Sequence, residues 1–385
     1  MIGKVTILLV IFFSYYPPPT SAQTQPQSVP AEYIRNLQTP GRSNQILRPS
    51  AVYVDRQFNE ILVADPGHNR VAIFDSQGVF RFEFSGAGHF STPVDLAVDS
   101  DGFIWVLGTT KEGRKLFVFD FDGLFLREVQ LPEGLDSSGR SVGSFDIGPQ
   151  GELFVLDEIA FRVVVLDPEG VTRRSFGLLT SMEEDVRRRQ VLGKLRVQAD
   201  RILIPCGSLG RVYMHSLDGR QLRSVGYKGT SIGELNFPVA AVLSDGLVMV
   251  LDKHRFNVVC YDLNGEFRGE FGGRGNNPGW FYHPTLLDVD QLGLVYIGQI
   301  FQNKIQVCRT PEFIRKSVTP SDSDQGDVDI ENLNTYFLGW LQSTLHVKGG
   351  TPTNEDKNQY YERMLVSAPE SNHNPMGKLA IFGGN

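Results

Sequence analysis

The chain reads as an all-β, six-bladed β-propeller with four-stranded antiparallel blades, and three observations carry that reading. A tight turn, Asp75-Ser-Gln-Gly78, recurs as Asp120–Gly123, Asp167–Gly170, Ser216–Gly219 and Asp262–Gly265, which sets a period of 45 to 49 residues. A second turn recurs half a period away, as Asp99–Gly102, Gly148–Gly151, Ser244–Gly246 and Asp290–Gly293. Between the turns lie short apolar runs rich in β-branched and aromatic residues, such as Ile61–Ala64, Val71–Phe74 and Val79–Phe84. Such runs bounded by Gly, Pro, Asp and Asn are the strand-and-hairpin pattern. Glycine fits where a turn needs positive φ, and a leading Asp accepts the turn's own amides. One hairpin does not stand alone in water, whereas radial repetition of a four-stranded unit leaves only short, protected edges. The period is long for a leucine-rich repeat and carries no helical patterning.

In chain order, residues 1–22 stand apart. Lys4 precedes the apolar run Val5–Tyr16, too short to cross a bilayer; Pro17–Pro19 ends it, and Thr20-Ser-Ala22 offers small residues to a signal peptidase. A secretory signal cut after Ala22 is expected, hence an exported protein, periplasmic or extracellular, that meets the membrane only if the signal stays uncleaved. Residues 23–31 form a polar, proline-containing linker, and residues 32–318 the propeller. Glu32–Leu37 reads like the last strand of a blade. Prolines in Leu47-Arg-Pro49, Ser91-Thr-Pro93, Asn236-Phe-Pro238 and Tyr282-His-Pro284 turn the chain inward. Blades therefore begin near Leu47, Ser91, Val142, Val191, Phe237 and His283. The sixth lacks the Asp-x-x-Gly turn, so its outer strand is either Phe313–Val318 or Glu32–Leu37. The second closure is favoured, because Glu32–Leu37 otherwise has no blade. Ser181–Gln190 (SMEEDVRRRQ) is compatible with a short exposed helix.

The chain has 385 residues, 40 of them glycine, and a net charge of −7, which argues against a general nucleic-acid binder. Cys206, Cys260 and Cys308 fall in different blades with no metal-binding spacing and read as buried hydrophobes.

Val63-Ala-Asp65-Pro-Gly-His68-Asn69-Arg70-Val71, running on to Gly78, resembles an NHL repeat, with His68-Asn69 as the namesake pair. Asp157–Val163 and Asp252–Val258 are weaker copies, and Phe271–Gly275 fits the exit of an outer strand. The loop Asp is missing from Gly108–Arg114 and Pro205–Arg211. The resemblance covers Leu47–Val318 and implies a six-bladed propeller of NHL type, a family whose functions vary widely.

Loops joining the second and third strands of each blade share a face with the loops joining one blade to the next. That topology gathers Arg48, His68, Arg70, His89, Arg162, His254, Arg255 and His283 on one rim, a candidate surface for an anionic or acidic ligand. Asp65/Arg70 and Asp157/Arg162 share a five-residue offset and read more readily as loop braces. The resemblance also implies relatives that are lyases or lactonases holding a metal at the tunnel mouth. Here His89 and His283 precede inner strands, but no HxH or HxxxH spacing exists. No nucleophile elbow, P-loop or dinucleotide fingerprint occurs.

The tail, residues 319–385, is acidic. Asp322–Leu333 followed by Asn334–Gln342 resembles half of a bacterial dockerin, a calcium loop feeding a helix near residues 334–342. Gly326, Val328, Asp329 and Leu333 match, whereas Ser321, Ser323, Gln325 and Asn332 stand in ligand positions. No resident cofactor is expected; a divalent metal in the tunnel and calcium in the tail are the lesser alternatives. The functional expectation is an exported binding or scaffolding module for a protein, peptide or glycan on its loop rim. A metal-dependent lyase or lactonase-like hydrolase is the alternative. RNA binding, as in some intracellular NHL proteins, conflicts with the signal and the acidic charge.

Overall fold

The computed structural model describes residues 29–41, 45–135 and 142–315. The expected signal, most of the expected linker, the last three residues of the expected propeller and the tail read as dockerin-like lie outside them. The first strand, β1 (Glu32–Asn36), precedes blade one, which comprises β2 (Ala51–Asp55), β3 (Glu60–Asp65), β4 (Arg70–Asp75) and β5 (Phe80–Ser85). Blade two is β6 (Thr92–Val98), β7 (Ile104–Thr110), β8 (Gly113–Phe119) and β9 (Phe125–Val129). Blade three is β10 (Val142–Ile147), β11 (Leu153–Asp157), β12 (Arg162–Leu166) and β13 (Thr172–Gly177). Blade four is β14 (Arg196–Gln198), β15 (Arg201–Cys206), β16 (Arg211–Ser216) and β17 (Gln221–Val225). Blade five is β18 (Pro238–Ser244), β19 (Leu247–Asp252), β20 (Asn257–Asp262) and β21 (Phe267–Gly272). Blade six begins with β22 (Pro284–Val289), β23 (Leu294–Gln299) and β24 (Lys304–Arg309).

Each blade is an antiparallel sheet, and the sixth is completed by β1 in the order β22-β23-β24-β1. Glu32 pairs with Arg309, Tyr33 with Cys308 and Asn36 with Gln306, so the first strand of the described chain closes the ring on its last. The other candidate is Phe313–Val318; its described part, Phe313–Arg315, lies in the helical turn Glu312–Arg315, and Ile314 is fully buried in the core between blades five and six. The inner strand of blade four starts at Arg196 rather than near Val191, because Leu192 makes only an isolated bridge to Cys206. The exposed helix expected near Ser181–Gln190 is one turn, Glu184–Arg187.

Middle strands such as β3, β11 and β19 are apolar on both faces because each lies between two neighbouring blades. Six apolar clusters fill the six seams. The recurring turn serves both its own blade and the seam with the preceding one. Asp75 Oδ1 accepts the amides of Gln77 (3.0 Å) and Val79 (2.9 Å), and Asp120 and Asp262 do the same in their blades. Gly123 has φ +79°, and a Cβ there would meet Phe84 of the previous blade's outer strand at 2.5 Å. Gly219 stands in the same relation to Phe176, at 2.4 Å. All three cysteines are buried and free.

Candidate functional site

The rim face is built on braces at the end of the second strand in blades one, three and five. Asp65 is fully buried; its Oδ1 accepts the Leu47 amide at 2.9 Å, and its Oδ2 accepts from Arg70 Nε at 2.9 Å and faces His68 Nδ1 at 2.8 Å. Arg70 also pairs with Glu83 on β5. Asp157 and Arg162 form the same pair at 2.9 Å. In blade five, Asp252 accepts the amides of Asn236, Phe237, His254 and Arg255. Arg255 there forks onto Glu270, at 2.7 and 2.9 Å. These cations hold loops in place. Arg70 is 3% exposed and does not reach solvent, which sequence offset alone did not reveal.

The histidines do not converge. His89 was expected near the tunnel mouth, but its ring stacks on Phe125 at 3.6 Å, and Phe125 belongs to the outermost strand of blade two. The approach to the inner strand therefore starts from the perimeter. His254 is exposed against Phe237, at 4.6 Å. His283 meets Phe256, Tyr282 and Phe301 edge to face, with centroids 4.6 to 5.4 Å apart. Among the described residues no three His, Cys, Asp or Glu side chains are grouped to hold a metal.

The rim of blades five and six does concentrate aromatic and cationic side chains. Phe301 is 68% exposed, Arg274 lies over Phe256 at 5.8 Å, and the backbone N–H of exposed Arg48 donates to Asn303 Oδ1 at 2.9 Å. Gln302 and Asn276 are hydrogen-bonded, tying the blade-six loop to the connection before β22.

The axis holds a network that sequence reasoning missed. Asp146 of β10 and Asp288 of β22 occupy equivalent inner-strand positions. Each accepts an amide from the next blade, Val197 to Asp146 and Val54 to Asp288, both at 2.8 Å. Gln198 does likewise for Leu243 at 2.6 Å. Lys194 donates to Asp95 (2.7 Å), and Arg196 donates to Asp288 (2.7 Å) and lies 4.4 Å over the Tyr53 ring. Burial works against the Arg196 charge, but Asp288 and Asp146 outweigh it and hold the guanidinium protonated. Burial also lifts Asp146 to about 6 against the pull of Arg196. The available signal was a charge inside an otherwise apolar strand. On the opposite face, the turns leaving the inner strands line two open pockets of about 280 and 430 Å³, both bordered by Arg56.

No protein-family model matches the chain. Protein brain tumor of Drosophila melanogaster is 26% identical over 148 residues, covering 36% of this chain and only 13% of that protein's length. Virginiamycin B lyase from Staphylococcus aureus superposes with a TM-score of 0.50 at 12% identity, over 72% of this chain and 99% of that one. A protein of unknown function from Bacteroides thetaiotaomicron gives a TM-score of 0.53 at 15% identity, over 73% and 74%. At these identities the structural likenesses show the fold: the chain is similar to other propellers, and it is itself a six-bladed β-propeller.

Proposed function

We propose that this chain is an exported propeller of NHL type that binds a protein, peptide or glycan through its rim face. The NHL reading is supported by the Asp65–Arg70 loop with its namesake His68-Asn69. Export is supported by the composition of residues 1–22. The observation that carries the binding role is the exposed Phe301, flanked by His283 and by loops bearing Arg274 and Arg48, on loops braced by buried hydrogen bonds. Aromatic and arginine side chains on a rigid frame bind at low ordering cost. Axial links from Arg196 and Lys194 supply the rigidity.

The test uses the full mature chain on peptide and glycan arrays, compared with a Phe301→Ser/Arg274→Glu double variant. A Gln57→Ala variant on the opposite face serves as control. Hits lost only in the rim variant support the reading. Hits lost only with Gln57→Ala would move the site to the pockets bordered by Arg56.

A further inference from the structure

Blade six departs from its siblings at the rung that braces the rim. In blade one that rung is Asp65 opposite Arg70, with Glu83 of the outer strand as a second carboxylate. In the blade-six register, Gln299 stands opposite Lys304, and Asn36 of β1, opposite Gln306, takes the place of Glu83, opposite Ala72. The cation is kept and both carboxylates have become amides. Gln299 retains one task, accepting the Tyr282 amide on Oε1 at 2.7 Å. Its Nε2 is buried without a hydrogen-bond partner, as is Asn36 Oδ1, and Gln299 is fully buried. Lys304 has no carboxylate within 4 Å among the described residues and is partly desolvated, which lowers its pKa.

A half-buried ammonium and an unused amide donor leave electrostatic demand that the blade itself does not meet. The same loop carries Phe301, and His283 and Tyr282 lie beside it. Neighbouring Arg274 and Arg48 likewise lack carboxylate partners among the described residues. We infer that the Gln299–Lys304 rung, with the aromatic side chains of its loop, is a subsite for a carboxylate of an acidic peptide segment in which an apolar residue neighbours the acid. The inference rests on the rim-binding reading and names its ligand. A peptide fits better than a polyanion. One ammonium and one amide match one carboxylate, the exposed ring beside them has no polar handle, and the net charge of −7 gives no broad field to hold a phosphate backbone.

The test is fluorescence anisotropy on the full mature chain with a labelled hexapeptide alternating Glu with Leu and Phe, and its Lys-for-Glu counterpart. The acidic probe binds in a salt-sensitive way and the basic one does not. Lys304→Met, which keeps the stem, weakens the acidic probe at least about tenfold, as does Phe301→Ser, while Arg127→Ala on blade two leaves it unchanged. Gln299→Glu is the decisive variant. It restores a carboxylate beside Lys304, so the melting temperature rises while probe affinity falls, which a folding defect does not produce. No binding of the acidic probe, or affinity unaffected by both Lys304→Met and Gln299→Glu, overturns the inference. If oligogalacturonate or single-stranded RNA binds instead and is lost in Lys304→Met, the peptide assignment is overturned while the rim reading stands. If the arrays show no rim-dependent hit, the rim reading itself goes.

Discussion

Arg196 of blade four reaches across the propeller axis to Asp288 of blade six, with Nη2 and Oδ2 2.7 Å apart, and its Nε lies 3.6 Å from Asp146 of blade three. The two carboxylates are almost wholly buried. Removing the cation leaves two buried acids uncompensated, which costs about 3–5 kcal/mol. Arg196→Met is therefore expected to lower stability by that order in urea melts at pH 7. The deficit should narrow as pH falls. Burial raises the folded pKa of Asp146 to about 6 against the lowering pull of Arg196; without that pull the acid takes up its proton at higher pH, so the variant gains more than the parent as the medium becomes more acidic. A deficit that stays constant from pH 7 to 5 would show that Asp146 does not feel Arg196.

Ring closure by β1 makes the first described strand essential. Deleting residues 23–40 removes the pairing with β24 and takes Leu37 and Ala31 from two seams. The melting temperature is expected to fall by about 10 °C or more, since one kcal/mol moves a domain of this size by a few degrees. An unchanged melt would rule this closure out.

Gly151 and Gly123 both have φ near +79°, yet a Cβ at 151 meets nothing within 4 Å whereas one at 123 meets Phe84 at 2.5 Å. Gly151→Ala carries the backbone strain alone, about 1–2 kcal/mol. Gly123→Ala adds overpacking of about 1–3 kcal/mol. Chemical denaturation of the pair separates the two terms, and equal losses would mean that Phe84 moves aside freely.

His215 is 3% exposed on β16, its ring 5.8 Å from Phe176, its Nδ1 without a partner, and burial holds its pKa down at about 4. The unfolded chain protonates near pH 6.5, so between 6.5 and 4 it binds a proton that the folded state refuses. Stability contributed by this site is full above 6.5 and falls as pH drops through that window, by an amount on the order of 2–3 kcal/mol. His215→Phe is expected to lose this dependence, seen as a flatter difference curve against the parent protein. Parallel curves would disprove the depressed pKa.

The strands and turns were legible because their causes are local: an Asp that bonds its own turn, a Gly at positive φ, an apolar run. The braces were legible for the same reason, since Asp65 and Arg70 flank one loop. The axis was not, because Arg196 and Asp288 are 92 residues apart in sequence and meet only through ring geometry. His89 was misplaced because its position in the connection between blades does not reveal how far from the axis that connection starts. The Gln299–Lys304 rung carried a readable sign, an amide and a lysine where sibling loops have Asp and Arg, but its meaning needs the register that sets Asn36 where blade one has Glu83.

The pairing of Glu32 with Arg309 also has a temporal side. A ribosome adding roughly 5–20 residues per second makes β1 long before β24, so the closing strand waits tens of seconds for its partner. During that interval five blades stand in an open arc, with the seams on either side of the unfinished blade unsealed. Any interruption of synthesis late in the chain releases that arc with a bare sheet edge. The last few residues of β24 thus decide whether the nascent product is a sealed ring or an aggregation-prone fragment.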